Sequence, residues 1–425
     1  MKNTKEMFMI GMELSRDFTQ VSYLLGNQEV QSMSTISDEQ KFNIPTCLLK
    51  FYHKLQWCVG EEAIVRNEEH QGALVTDLLD RVIEKRSLSL DENEYAGSEL
   101  LDLFIREIMK MIHLNVSKNQ ITHAVISVPE LSEALTDCLR DILKRLGIPE
   151  ENIRIISHTE SFIYYVTYQS REIWTNEVLL FDFNRFGMDV KRMQVVTNRN
   201  PAVIRVAEES AADDLSMDML VDEQGQKEAD IRFAKVAKKA LSGHVVSAVF
   251  LIGEGFKKPW AKNSLSVLCG NRRVFQGDNL IAKGAGYCAR EMVYNDHLTN
   301  YIFQCKGRTK ADVSLMVLHD GREIAKPLTY AGSNWTDART SVEGILDHAD
   351  SLRFVVTSPI SGRSKVLRMD LKGLPKRPNK TTRVRVSLRF KNESSCEVLV
   401  TDMGFGDFFP SSGLVFKETV DLEEF

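Results

Sequence analysis

The chain has 425 residues, of which 43% are hydrophobic and 27% are charged, with only 10 prolines. This length exceeds a single compact core, so two or three domains are expected, and the composition excludes long disordered stretches. The formal net charge of -5 gives no electrostatic reason to expect nucleic acid as a partner.

The seven cysteines are scattered and show no CxxC or Cys/His spacing. We therefore expect them to be reduced apolar fillers, as in a protein of a reducing compartment. Glu6 and Glu13 interrupt the apolar run near the N-terminus, so no signal peptide is predicted. No window approaches the roughly 18 apolar residues of a membrane helix. We expect a cytoplasmic protein without a membrane partner.

The first predicted element is a β-hairpin over residues 8–24. An apolar strand reaches Glu13, and a polar turn of Ser15, Arg16 and Asp17 leads into an alternating second strand. The pattern then predicts strands within 42–59, a helical stretch over 61–112, a strand at 122–128, a helix at 132–146, and a strand at 153–156 that runs into a helix. This alternation predicts a mixed α/β lobe over residues 1–175.

A second hairpin, at residues 178–190, carries Asp182 at the end of a buried strand and Asp189 on the return strand. Alone, this pattern is most simply an ordinary hairpin. Two hairpins with acidic tips suggest two lobes that face one another across a cleft. The second lobe is predicted over residues 176–299, with a helix at 229–241 and a buried strand at 247–252.

From about residue 312, short alternating strands separated by Gly, Pro, Asn and Ser replace the α/β pattern. They predict a β-sandwich over residues 311–425, after a linker at 300–310. The Gly- and Phe-rich stretch at 402–413 is interpreted either as a turn that packs aromatics under the sandwich or as an exposed recognition loop.

In their order along the chain, these segments resemble the DnaK-type heat-shock chaperones of the sugar kinase, actin and heat-shock ATPase superfamily. FMIGMELSRDFTQVSYL is similar to the first phosphate loop, VLLFDFNRFGMDV to the second, and FLIGEGFKKPW to the adenosine loop. The resemblance covers nearly the whole chain. It implies an α/β two-lobed actin-like ATPase fold with reduced subdomains, followed by an all-β sandwich without a helical lid.

The resemblance also implies ATP or ADP with Mg2+ as cofactor, held between the lobes. The acids on the metal side would be Glu13, Asp182 and Asp189, and Glu160 would position the attacking water. The implied nucleotide-binding residues are Ser15, Arg16, Asn184, Arg185, Gly253, Glu254, Gly255, Lys283 and Gly284.

The phosphate loops depart from the family pattern. Residues 13–17 read Glu-Leu-Ser-Arg-Asp where the family has Asp-Leu-Gly-Thr-Thr, and Asn184, Arg185 and Phe186 replace the glycines of the second loop. The family's phosphate-contacting lysine has no counterpart. Side chains at these positions obstruct the close approach of backbone to phosphate, although Arg16 and Arg185 could bind phosphate instead.

Three functions stay open. The chain could be a DnaK-like chaperone or nucleotide-dependent switch, with weak or no hydrolysis, that binds a protein or peptide through the β-sandwich. It could be a pseudo-ATPase scaffold without nucleotide, or an actin-like filament protein. Arg16 and Arg185 discriminate between the first two: an open cleft with free arginines favours nucleotide, and arginines paired with acids favour the scaffold.

Overall fold

The computed structural model describes residues 7–36, 40–198 and 200–422, which form eight α-helices and 25 strands. The first elements are β1 (Phe8–Leu14), β2 (Phe18–Leu25), β3 (Gln31–Ser32), β4 (Ile44–Pro45), β5 (Leu48–Phe51), β6 (Trp57–Val59), α1 (Gly60–Glu68), β7 (Gly72–Val75), α2 (Leu78–Ile83), β8 (Ser87–Leu90), β9 (Asn93–Ala96), α3 (Gly97–Asn115), β10 (Ile121–Val128), α4 (Glu133–Arg145), β11 (Ile153–Ser157) and α5 (His158–Thr167). They continue with β12 (Glu177–Asn184), β13 (Gly187–Val196), β14 (Ala202–Ser210), α6 (Glu223–Leu241), β15 (Val246–Ile252), α7 (Lys262–Leu268), β16 (Arg273–Gln276) and α8 (Leu280–Tyr294). The last are β17 (Tyr301–Gln304), β18 (Asp312–His319), β19 (Arg322–Thr329), β20 (Arg339–Ile345), β21 (Ser351–Thr357), β22 (Ser364–Asp370), β23 (Arg383–Asn392), β24 (Ser395–Gly404) and β25 (Val415–Asp421).

The chain divides into two compact units. The first comprises Met1–Val195 and Val206–Thr299, and the second comprises Val196–Arg205 and Asn300–Phe425. The predicted mixed α/β N-terminal region followed by an all-β C-terminal region is confirmed. The predicted first lobe falls within the first unit, and so does the predicted second lobe except for residues 196–205.

The first sheet of this unit has the strand order β11-β10-β1-β2-β3, with β4 beside β2. Strand β1 runs antiparallel to β2 and parallel to β10, which is itself parallel to β11. All seven residues of β1 are buried, as expected for a central strand covered on both faces. Its C-terminal end carries Glu13 toward the hairpin turn.

The second sheet repeats this arrangement with the order β16-β15-β12-β13-β14 in the first unit. Strand β12 runs antiparallel to β13 and parallel to β15, and β15 is parallel to β16. Helices α6, α7 and α8 follow its strands in the order in which α3, α4 and α5 follow those of the first sheet. The first unit therefore contains the same strand and helix order twice.

Two helices of the first half begin at serine caps. The Oγ of Ser132 accepts from the Leu135 N–H at 3.2 Å, and the Oγ of Ser157 accepts from the Glu160 N–H at 3.1 Å. Each bond satisfies a backbone donor that the first helical turn leaves free. The cap at Ser157 fixes where α5 begins, directly after β11.

Helix α8 lies in the stretch predicted as the second lobe, yet it packs on the first sheet and on α5. The Oγ of Ser22 in β2 donates to the Ala282 carbonyl at 2.6 Å. A Cβ on Gly11 would lie 2.1 Å from the Gly286 nitrogen, and a Cβ on Gly284 would lie 2.0 Å from the Ser161 carbonyl oxygen. Glycine is required at these contacts because the backbones approach too closely for any side chain.

In the second unit, two four-stranded antiparallel sheets have the orders β19-β18-β21-β22 and β20-β23-β24-β25. Strand β17 pairs in parallel with residues 202–205 of β14. Alternate side chains along these strands are buried, for example Val384, Val386 and Leu388 in β23. In the described part of the chain, no helix has the length and apolarity needed to cross a bilayer.

Candidate functional site

The two acidic hairpins of the first unit meet, as the sequence predicts. Glu13 lies near the end of β1 and Asp182 near the end of β12, and the charge of Asp182 acts directly on the Glu13 carboxyl. A second contact joins the turns, where the Arg185 Nε lies 2.5 Å from the Asp17 Oδ1. The candidate site is the region between these two hairpin tips.

Glu13 is the most perturbed acid of the site, with only 5% of its surface exposed. Its Oε1 accepts a long bond of 3.4 Å from the Ser15 Oγ, while its buried Oε2 has no hydrogen-bond partner among the described residues. Burial, followed by repulsion from Asp182, raises the pKa of Glu13 to about 8. Glu13 is therefore mostly protonated at neutral pH in this arrangement.

Asp182 is half-buried, and burial raises its pKa to about 6. The Lys191 ammonium and a 3.3 Å hydrogen bond from the Asn184 side chain oppose this rise. Lys191 is itself paired with Glu208 at 3.2 Å. Asp189 lies opposite Asp182 in the hairpin register but is exposed.

Both arginines of the predicted phosphate loops, Arg16 and Arg185, are paired with acids. The Arg16 Nε donates to the Asp80 carboxylate on α2 at 2.9 Å, and its Nη2 lies 2.9 Å from the same group. Arg185 pairs with Asp17, and its guanidinium lies 4.8 Å from the centre of the Phe186 ring. Neither guanidinium is left without a counter-charge.

The predicted adenosine loop packs against its own protein. Gly253 has φ of 96°, and a Cβ there would lie 2.3 Å from the Phe183 carbonyl oxygen, so this tight turn requires glycine. A Cβ on Gly255 would meet the Phe183 ring at 2.3 Å. The Glu254 carboxylate accepts from the Asn43 side chain at 2.7 Å, which links the loop to the residue just before β4.

The remaining predicted residues lie on the two helices that pack together. Glu160 is fully buried in the first turn of α5. Lys283 is half-buried on α8 and forms no ion pair within the described chain, while Gly284 faces the α5 backbone. The roles of these residues in water positioning and nucleotide binding stay predictions.

Four residues that sequence reasoning missed complete the site: Asn43, Asp80, Lys191 and Glu208. Asn43 directly precedes β4, Asp80 lies on α2, Lys191 on β13 of the second hairpin, and Glu208 on β14. These residues are far apart in the sequence, and no periodic pattern connects them, so the sequence alone could not identify them.

The acids of the site do not form a ready cation cage. Where side chains are described, no group of three His, Cys, Asp or Glu residues is arranged to hold a metal ion. Mg2+ requires several oxygens in near-octahedral geometry. The arrangement offers Glu13 and Asp182, a pair of carboxyls with raised pKa values, rather than a three-acid set.

Two family models match the chain, and their boundary falls close to that between the two units. The model described as "Family of unknown function (DUF5716) C-terminal" matches residues 29–306, and the one described as "Domain of unknown function (DUF8552)" matches residues 308–422. No curated protein matches this chain. Because the first match spans more than half of its length, the protein belongs to the DUF5716 C-terminal family.

Proposed function

We propose that this protein is a non-hydrolysing scaffold whose first unit is an actin-like pseudo-ATPase core and whose second unit binds a protein partner. The observation that carries the proposal is the pairing of Arg16 with Asp80 and of Arg185 with Asp17. A phosphate group would have to displace an acid from each guanidinium. The site as folded is neutralised by the chain itself.

The assignment of the core to the actin and heat-shock ATPase superfamily is supported by the repeated strand order of the two sheets. In each half, a central strand carries an acid toward a hairpin turn, and a helix of each half, α5 and α8, packs against the other. A duplicated α/β unit with its site between the halves suits a protein that closes around a ligand or is held closed by internal contacts.

The side chains between the hairpins support the scaffold proposal, in which internal contacts hold the two halves closed. Glu254 binds both Asn43 and Lys257, the latter at 2.6 Å, and Asn43 also accepts from Gln20. This polar chain connects the adenosine loop to the first sheet without any ligand. A core held in this way needs no nucleotide to keep its halves together.

A second candidate function, a DnaK-like nucleotide-dependent switch, is favoured by one observation. The Oε2 of Glu13 is buried and has no hydrogen-bond partner among the described residues. A buried carboxylate oxygen without a partner can be stabilised by a bound cation. Magnesium bound to ATP would supply that charge. Asp182 would provide the facing carboxylate, and Lys283 is a cation of α8 without an ion pair among the described residues.

The expected location is the cytoplasm. All seven cysteines are free thiols in the described structure, which suits a reducing compartment. The fold of the second unit, with two antiparallel sheets, suits partner binding through a sheet face or edge.

The test is calorimetric titration of the protein with ATP and ADP, with and without Mg2+, beside an Asp182→Asn variant. The scaffold proposal expects no binding heat at millimolar nucleotide while the protein stays folded. Magnesium-dependent binding that Asp182→Asn abolishes would overturn it in favour of the switch. Binding that Asp182→Asn leaves intact would overturn it as well, and would move the nucleotide away from the hairpin tips.

A further inference from the structure

The strand register of the second unit gathers cations on one face of one sheet. Arg339 in β20 lies opposite Arg389 in β23, and Leu399 in β24 lies opposite Lys417 in β25. Their neighbours along each strand point to the opposite, buried face, as the two-residue period of a strand requires. We call this exposed side of β20, β23, β24 and β25 the basic face. Its charged residues are the cations Arg339, Arg383, Arg385, Arg389, Lys391 and Lys417 and the acids Glu343, Glu397 and Asp421.

A single carboxylate organises the centre of this face. Glu397 is 3% exposed because three long side chains cover it. Its oxygens lie 2.5 Å from the Lys417 Nζ, 2.9 Å from the Lys391 Nζ and 3.5 Å from the Arg389 Nη2. These cations lower the pKa of Glu397 to about 2, so it stays ionised. Three cations therefore share this one carboxylate and are held in place by the strands.

The rest of the face carries further cations. Glu343 is shared by Arg385 at 2.7 Å and Arg383 at 3.7 Å. Arg339 forms no ion pair within the described chain, although it lies directly opposite Arg389. Like charges in a directly opposed strand pair are destabilising. Arg339 is therefore a cation of this face that can pair with an anionic partner.

Two arginines of the other sheet, by contrast, are paired with acids. On the other sheet, Arg353 pairs with Glu323, and Arg368 lies 3.3 Å from Asp350 and 3.2 Å from Asp370. Arg353 and Arg368 are thus matched by acids. Residues 300–425 hold 19 lysines and arginines against 16 aspartates and glutamates, whereas the whole chain holds 54 against 59. The positive charge is therefore concentrated on the part of the protein that carries the basic face.

We infer that the basic face docks a protein segment rich in aspartate and glutamate. Charge complementarity of this kind gives specificity and speeds association. Exposed Ile345 and Val415 and half-buried Leu399 lie on the same side of the sheet, so a segment that mixes acids with leucine-like residues fits best. The inference rests on the proposed function, because it names the chemistry of the second unit's partner.

The test measures binding of a fluorescein-labelled peptide, acetyl-(Glu-Glu-Leu)4, to the full chain by fluorescence anisotropy in 50 mM NaCl. The matched uncharged peptide is acetyl-(Gln-Gln-Leu)4. The acidic peptide is expected to bind, the amide peptide is not, and 500 mM NaCl should weaken binding at least about tenfold through screening. Arg339→Glu should weaken it about fivefold, as expected for reversal of one exposed interfacial charge. This substitution removes no ion pair among the residues that the structure describes.

Arg363→Glu is the control, because it makes the same charge change at an exposed position in the turn between β21 and β22. It should leave the affinity unchanged within a factor of about two. Absence of acidic-peptide binding, or an equal loss in Arg363→Glu, would overturn the inference. Capture by phosphatidylserine vesicles without peptide binding would also overturn it, in favour of a membrane surface. Nucleotide titration tests the core separately, so failure of the peptide leaves the pseudo-ATPase proposal standing.

Discussion

Replacing Glu13 with glutamine should stabilise the first unit at neutral pH and change little in mild acid. The substitution keeps the shape of the side chain and removes its charge. Glu13 faces Asp182 and Asp278, whose charges both disfavour its ionisation, and among the described residues Ser15 and the Ala282 backbone offer it hydrogen bonds. The ionised carboxylate is thus poorly compensated in the fold, whereas a neutral amide avoids the cost of burying charge.

The sign and size of the effect follow from proton linkage. In the unfolded chain Glu13 ionises near its ordinary pKa of 4.5, and in the folded chain near about 8. Between these values unfolding releases a proton, so stability falls as pH rises through that window; the penalty is absent below it and constant above it. The unfavourable contribution is about 4 kcal/mol at pH 7.5 and about 1 kcal/mol at pH 5. Glu13→Gln should remove both.

The assay is urea unfolding followed by tryptophan fluorescence at pH 5.0 and pH 7.5. Trp57, Trp174 and Trp260 report on the first unit. Glu92→Gln, at an exposed glutamate of the same unit, controls for the general loss of one negative charge and should change the unfolding free energy by less than about 0.5 kcal/mol.

Two results would refute the reasoning about Glu13. Equal destabilisation of Glu13→Gln at both pH values would mean that the ionised carboxylate is well satisfied in the fold. A stability gain of the same size at pH 5.0 and pH 7.5 would mean that packing, not titration, is responsible. If 10 mM Mg2+ raises the urea midpoint of the wild-type protein but not that of Glu13→Gln, the result favours the nucleotide-dependent switch over the scaffold.

Two further substitutions test the packing of each unit, both by urea unfolding. Gly284→Ala should destabilise the first unit by about 1–3 kcal/mol, because the new Cβ would meet the Ser161 carbonyl oxygen. The control is Gly277→Ala, which should be nearly neutral because open space surrounds this position. Equal effects of the two substitutions would contradict the close contact at Gly284. Arg377→Met should cost the second unit about 3–5 kcal/mol, because it leaves the fully buried Asp402 without its bidentate partner at 2.8 Å. The Arg377 guanidinium holds the pKa of Asp402 well below its ordinary value of 3.8, so the stabilisation by this pair is present above about pH 4 and is lost only as pH falls further. Adding Asp402→Asn to Arg377→Met should recover part of the lost stability. If stability does not recover, an unpaired buried charge is not the cause of the loss.

The amino-acid sequence determined the local parts of this fold. Five apolar residues before Asp182 predict a buried strand that ends in an acid, and β12 has this form. The stretch at 132–146 predicts a helix, and α4 begins after Ser132 as its cap residue. Alternation along residues 383–390 predicts a strand with one buried face. These features depend on neighbours within a few residues, so period and capping chemistry reveal them.

The interpretation of the stretch at 402–413 shows where local pattern becomes insufficient. Its glycines and phenylalanines indicated a turn, but not which rings would be buried. In the structure Phe408 is 94% exposed, whereas Asp402 is buried and accepts bonds from Arg377 and Ser412. The loop is anchored by its buried aspartate and leaves this phenylalanine in solvent, as the exposed-loop alternative expected.

Only the tertiary structure decided what surrounds the charged groups. Arg16 could bind phosphate or an acid of the chain, and the choice depends on α2, which brings Asp80 to it. The raised pKa of Glu13 likewise comes from burial between two hairpins and from Asp182 on the other one. The net charge of -5 gave no sign of the basic face, because it sums over the whole chain, whereas the sheet register decides which cations share one face. Local patterns specify strands and helices, but electrostatic environments depend on distances in space, which only packing sets.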